Sequence, residues 1–206
     1  NFLTLAGLML LLSACGGGGG DSAAGSGSLS LGLTDGPVDD LEQVVVTFTE
    51  VIVHPAGGGQ DLVFDMTEGG TTDGVSVDLK TLTQGNSIRL LENEPLPAGN
   101  YSWIRLVINP DPVFTYVVEE VGGGQLLLDC SSCDESHLKL NRSFKISAAG
   151  LVDFTIDFDL RKSITLQQPN NVDYQYKLRP TLRIIETQVA SAYISGTVDQ
   201  ALVDPA

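Results

Sequence analysis

Positive charge, histidine and cysteine are all scarce in this chain, and each shortage closes off a class of function. The 206 residues hold 11 Lys and Arg against 26 Asp and Glu, a formal net charge of −15. Nucleic acid and anionic membrane surfaces would be repelled, so neither is an expected direct partner, and cations or basic proteins are the natural complement. The 2 histidines leave a Ser-His-Asp triad without identifiable partners. No Gly-x-Ser-x-Gly elbow, His-Glu-x-x-His helix or phosphate-binding loop is present either. An enzyme is therefore not expected, and no cofactor or metal is implied. The 3 cysteines are Cys15 near the N-terminus and one close pair, Cys130 and Cys133. No apolar run is long enough for a comfortable bilayer span, and no long amphipathic helix is visible.

What remains is ordinary for a folded domain. A hydrophobic content of 42% and a charged content of 18% exclude disorder throughout, and the length suffices for one sizeable core with appendages. Much of the glycine sits in short tracts, as expected of linkers and loop tips.

The N-terminal segment reads as an address. Phe2 to Leu12 is an apolar run of signal-peptide length, and it ends in Leu12-Ser13-Ala14-Cys15, a lipobox. Small residues before the cysteine suit the peptidase that cuts lipoprotein precursors, and the Cys15 thiol is the atom that receives diacylglycerol. Residues 1–14 are thus expected to be a signal peptide that lacks its first residues, since the chain opens at Asn1 without a charged start. Residues 15–28 are expected to be the lipidated cysteine and a flexible Gly/Ser spacer. Gly16 in place of Asp favours outer-membrane sorting in a Gram-negative cell envelope, by analogy.

The folded domain is expected over residues 29–187, and its clearest strand is Leu151 to Ser163. There Phe154, Ile156, Phe158 and Leu160 alternate with Asp153, Thr155, Asp157 and Asp159, the two-residue period of a strand with one face on a core. Leu29, Leu31 and Leu33 alternate likewise before a turn at Thr34-Asp-Gly-Pro37. Gln43 to His54 is a strand whose phase slips near Glu50, which predicts a bulge. Shorter strands are expected at Leu62 to Met66, Val75 to Leu79, Ser87 to Leu91, Tyr101 to Ile108, Val113 to Val118, Gln125 to Leu128, Leu138 to Ile146 and Tyr174 to Glu186. A helical turn is expected near Leu79 to Thr83, and Gly99 should supply a left-handed step before Tyr101. Many short strands separated by Gly, Pro and Asn turns predict an all-β, antiparallel β-sandwich.

The order of Thr34-Asp-Gly-Pro37, Val53-His-Pro55, Leu96-Pro-Ala-Gly-Asn-Tyr101 with Ile104-Arg-Leu106, Asp157-Phe-Asp-Leu-Arg-Lys-Ser163 and Leu178-Arg-Pro180 resembles a bacterial family known only as domain of unknown function 4382. The resemblance implies a transthyretin-like or Ig-like sandwich and a lipoprotein context, and supplies no activity. Beyond it, residues 188–206 read as a linker and the first strand of a following domain. Tyr193-Ile-Ser-Gly-Thr-Val198 there resembles the start of a carboxypeptidase-regulatory-like repeat.

Two groups of residues invite a chemical reading. Cys130-Ser-Ser-Cys133 with His137 has metal-like spacing, but a fourth ligand would have to come from Asp129, Asp134 or water. Thiol redox work is disfavoured because Asp129, Asp134 and Glu135 disfavour the thiolate. A structural disulfide between Cys130 and Cys133 is the expectation. On the strand, Asp153, Asp157 and Asp159 share a face and must be offset. Asp157 or Asp159 is expected to form a structural ion pair with at least one of Arg105, Arg161, Arg179 and Arg183, holding register between strands. Calcium is the other way to offset them, although ligands on a strand splay along a line instead of converging.

The sequence therefore points to a non-enzymatic cell-envelope lipoprotein, joined to the membrane through Cys15, whose sandwich is a binding or spacer module. A calcium- or glycan-binding module and a thiol-disulfide oxidoreductase using Cys130 and Cys133 are the alternatives.

Overall fold

The computed structural model describes residues 25–36, 38–67, 74–130, 133, 138–167 and 176–187. In chain order its strands are β1 (Ser26–Gly36), β2 (Leu41–Pro55), β3 (Leu62–Asp65), β4 (Val75–Asp78), β5 (Ile88–Pro97), β6 (Gly99–Ile108) and β7 (Tyr116–Glu119). They continue as β8 (Gln125–Asp129), β9 (Lys139–Leu140), β10 (Phe144–Ile146), β11 (Leu151–Asp159), β12 (Ile164–Leu166), β13 (Tyr176–Leu178) and β14 (Leu182–Glu186). Helix is confined to a 3-10 turn at Leu79–Leu82 and to α1 (Leu160–Ser163) among the described residues. Each is opened by an aspartate: Asp78 accepts from the Lys80 amide at 3.1 Å and Asp159 from the Lys162 amide at 3.3 Å, satisfying donors that a first turn leaves unpaired.

The strands form two sheets around one core. The smaller runs β14-β11-β1-β5, and the larger runs β10-β6-β2-β7-β8-β13-β12, with β3 and β4 also on β2 and β9 on β6. The fold is all-β, as the alternation required. Leu29, Leu31 and Leu33 of β1 and Phe154, Ile156 and Phe158 of β11 are buried together with Val44, Val46 and Phe48 of β2 in a single apolar cluster. Each such side chain contributes about 1.5–3 kcal/mol by leaving water.

Pairing departs from a purely antiparallel arrangement at two places. β1 runs parallel to β11, from Ser28 opposite Leu151 to Gly36 opposite Asp159, and β13 runs parallel to β8. Parallel neighbours need a long connection, and β1 and β11 are separated by most of the domain. Strand β2 carries the expected phase slip: the register against β6 shifts between Phe48 and Glu50. Val51 and Val53 beyond it therefore remain buried.

Three stretches expected as single strands are broken. Leu151 to Ser163 is strand only to Asp159, whose side chain caps the helical turn of Leu160–Ser163. Leu138 to Ile146 divides into β9 and β10 at Asn141-Arg-Ser143. The segment ending at Glu186 switches sheets, β13 pairing in the larger and β14 in the smaller. Pro180 lies between them and has no N–H for a ladder. Gly99 is not left-handed, since the described glycines with positive φ do not include it. Glycines that the fold does require are Gly74, with φ 98° and a position where a Cβ would collide with the Phe48 carbonyl, and Gly27, where a Cβ would collide with the Ser147 and Gly150 carbonyls.

Candidate functional site

The register of β2, β6 and β9 assembles an aromatic and cationic cluster on the outward face of the larger sheet. His54 stands opposite Trp103, Ile52 opposite Arg105, and Arg105 opposite Lys139. The inward neighbours Ile104 and Leu106 are buried, so strand alternation turns Trp103 and Arg105 outward. The His54 and Trp103 rings stack 4.8 Å apart at an interplanar angle of 4°. Lys139 Nζ lies 4.3 Å and Arg105 Cζ 4.9 Å from the indole centroid, within the range where a ring face attracts a cation. His54 Nδ1 is held 2.6 Å from Asp61 Oδ1. Arg105 Nε is buried without a hydrogen-bond partner.

That arrangement corrects the expectation for Arg105. It makes no ion pair among the described residues, because its position opposite Ile52 and Lys139 puts Trp103, not β11, beside it. The other residues of the acidic strand divide as follows. Asp157 accepts from Arg183, directly opposite on β14. Asp159 pairs with Lys162 of α1 at 2.5 Å, and not with an arginine of a neighbouring strand. Arg161 reaches Asp39 at 3.1 Å, and the Arg179 amide donates to the Ser163 carbonyl at 2.7 Å. The Lys162 hydrogen bond holds the Asp159 carboxyl below the usual carboxylate range.

An arginine outside that set takes the third aspartate. Arg89 of β5 donates from Nη1 and Nη2 to the two oxygens of Asp153 at 2.6 and 2.8 Å. The pair straddles β1, since Arg89 is opposite Gly32 on one side and Asp153 is opposite Ser30 on the other. Gly32 lies beneath the crossing, where even a Cβ would be in ordinary contact, 3.8 Å from Arg89 Nη1 and 3.4 Å from Thr155 Oγ1. The bidentate contact with Asp153 raises the Arg89 pKa, and Asp153 is buried although it lies on the face expected to be solvated. The hint in the sequence was an alternating strand whose polar face is met by a glycine, next to a strand that carries one arginine.

Cys130 and Cys133 lie at disulfide distance, with Cα atoms 5.1 Å apart and a tight turn closed by the Cys133 amide on the Cys130 carbonyl at 2.8 Å. Cys15, His137, Asp134 and Glu135 lie outside the described residues. Among the described residues no three His, Cys, Asp or Glu converge as metal ligands, and no helix is long and apolar enough to cross a membrane. A shallow groove of about 440 Å³ lies beside the cationic cluster, between Lys139, Asn141 and Arg142 on one side and Pro180, Leu182 and Ile184 on the other.

The model of one protein family, described as Domain of unknown function (DUF4382), matches residues 26–180. No curated protein and no solved structure matches the chain.

Proposed function

The chain belongs to the family described as Domain of unknown function (DUF4382), and from that premise we propose that it is a non-enzymatic cell-envelope lipoprotein whose β-sandwich serves as a binding or spacer module. Cys15 is its lipid anchor, Gly16 directs it to the outer membrane of a Gram-negative cell, and Tyr193 to Val198 opens a carboxypeptidase-regulatory-like repeat that the module supports.

The observation that carries this reading is where the anchor sequence meets the fold. The lipobox and its glycine tract lead directly into β1 at Ser26, and β1 lies between β11 and β5, bonded to a neighbour on each side. A tether attached to a central strand transmits load into two ladders and leaves the rest of the surface available. The face bearing Trp103, Arg105 and Lys139 favours the binding role over the spacer role, because cations held on an aromatic ring contribute little to a passive spacer. Acyl labelling in a Gram-negative host tests the anchor. Wild type should incorporate labelled fatty acid and Cys15→Ser should accumulate as an unlabelled precursor, whereas equal labelling of the two would overturn the reading.

A further inference from the structure

We propose that the cationic edge formed by β6, β9 and β10 is a docking surface for an acidic polysaccharide, a sugar chain bearing carboxylates. The proposal rests on the reading of this domain as a binding module and names its ligand class.

The distribution of the basic residues carries it. Of the 11 Lys and Arg, Arg89, Arg142, Arg161, Lys162, Lys177 and Arg183 meet carboxylates. Lys80 donates instead to the Val38 and Leu41 carbonyls. Among the described residues Arg105, Lys139, Lys145 and Arg179 form no ion pair, and three of these four lie on β6, β9 and β10. Arg105 and Lys139 stand opposite each other beside Trp103, and the exposed Lys145 stands opposite Asn100 further along β6. In a chain with 26 acidic residues, the placing of Arg105, Lys139 and Lys145 along one part of the sheet is a local reversal of the overall charge.

Lysines on an edge strand are explained by the need to prevent edge-to-edge pairing. Arg105 is not so explained, because β6 is an interior strand with β2 on one side and β9 and β10 on the other. Its guanidinium is held against the indole, and its Nε, buried without an acceptor, leaves the charge uncompensated from beneath.

The ligand class follows from what surrounds the cations. The adjoining groove is lined by Lys139, Asn141 and Arg142, the last already paired with Glu186, and by the apolar Leu182 and Ile184. A lining that mixes polar and apolar side chains suits a pyranose, which presents hydroxyls at its edge and C–H bonds on its face. A stable protein interface needs an apolar core, and the exposed large hydrophobics among the described residues lie elsewhere, at sites such as Val113, Val121, Leu151 and Leu166. The net charge of −15 does not prevent docking, because at physiological salt screening acts over about 8 Å and an anion at this edge reads the nearest cations.

Trp103 is the one tryptophan of the chain, so its fluorescence reports on this face alone. The full chain in mild detergent should show saturable quenching by oligogalacturonate, and calorimetry should give the same affinity, falling as salt rises. Arg105→Gln and Lys139→Gln should each weaken binding about tenfold or more, the loss of one charge-assisted contact. Arg161→Gln, a cation paired elsewhere, should bind as wild type does. The Lys139 variant alters a partly exposed edge side chain and keeps the test valid if Arg105→Gln fails to fold. Absence of binding, equal binding of a neutral maltooligosaccharide, or stronger binding of poly-glutamate would overturn the proposal. Binding of oligogalacturonate unaffected by either variant would also overturn it while leaving the domain a binding module, and acyl labelling of Cys15 is independent of all these outcomes.

Discussion

Removing the Arg89 guanidinium should destabilise the domain more than removing the Asp153 charge, because the two ends of the pair sit in different surroundings. The Asp153 side chain is 8% exposed and that of Arg89 45%. In Arg89→Met the carboxylate stays buried against β1 without its fork, while the Met chain still covers Gly32. Loss of one member of a buried pair destabilises by about 3–5 kcal/mol, and water reaching the vacated half-exposed position puts this case near about 3 kcal/mol. With about 2–4 °C per kcal/mol for a domain of this size, the midpoint should fall by about 6–12 °C. Asp153→Asn leaves an arginine free to turn into water and an amide that still accepts one bond, so about 1–2 kcal/mol is lost. The double variant Arg89→Met, Asp153→Leu removes both polar groups and should lie within about 1 kcal/mol of wild type. Urea denaturation of the four proteins, with an unchanged slope, measures all of these. An Arg89→Met variant as stable as wild type, or an Asp153→Asn variant more damaged than Arg89→Met, would refute the reasoning.

Three further outcomes are expected. Asp159 has its folded pKa lowered by Lys162, so its contribution is present above the unfolded carboxylate value near about 4 and is lost as pH falls through the lowered folded value. Asp159→Asn should therefore reduce stability at neutral pH and flatten the acid limb, with no response to calcium or chelator; a calcium-dependent rise in wild type that the variant abolishes would make the strand a metal site. Burial and the nearby Glu119 push Tyr176 up to about 12, so its contribution is complete below about pH 10 and lost as pH rises through the folded value. Absorbance titration should resolve late titration of Tyr176 and of Tyr101, which burial also pushes up, and Glu119→Gln should move only Tyr176 earlier. Mass spectrometry of a non-reduced digest should find Cys130 and Cys133 linked, and two alkylatable thiols in protein from an intact envelope would contradict this.

Local pattern made part of the fold legible. The alternation from Leu151 to Asp159 placed Phe154, Ile156 and Phe158 on the core, and the slip near Glu50 is a register shift in β2 because two faces cannot both be buried without an extra residue. Long-range pairing was not legible. Arg89 finds Asp153 across 64 positions by reaching over β1 from β5 to β11, a relation that depends on three strands at once. Arg105 looked equally suitable as a partner for the acidic strand, yet its register sets it beside Trp103. Net charge was the least informative signal for the candidate site: −15 sums the whole chain, whereas a ligand at Trp103 meets Arg105 and Lys139, which stand opposite each other. The sheet switch at Pro180 was visible as a proline, but not as a change of sheet.

The central claim is that a folded module hangs from a lipid anchor by a spacer, and severing the spacer tests it most directly. A specific protease site inserted after Gly20, cleaved in isolated membranes after acyl labelling, should release a folded, unlabelled domain to the supernatant. The label should stay with the membrane on the short Cys15 fragment. A domain that remains with the membrane after complete cleavage, or label that travels with the released domain, would contradict the account.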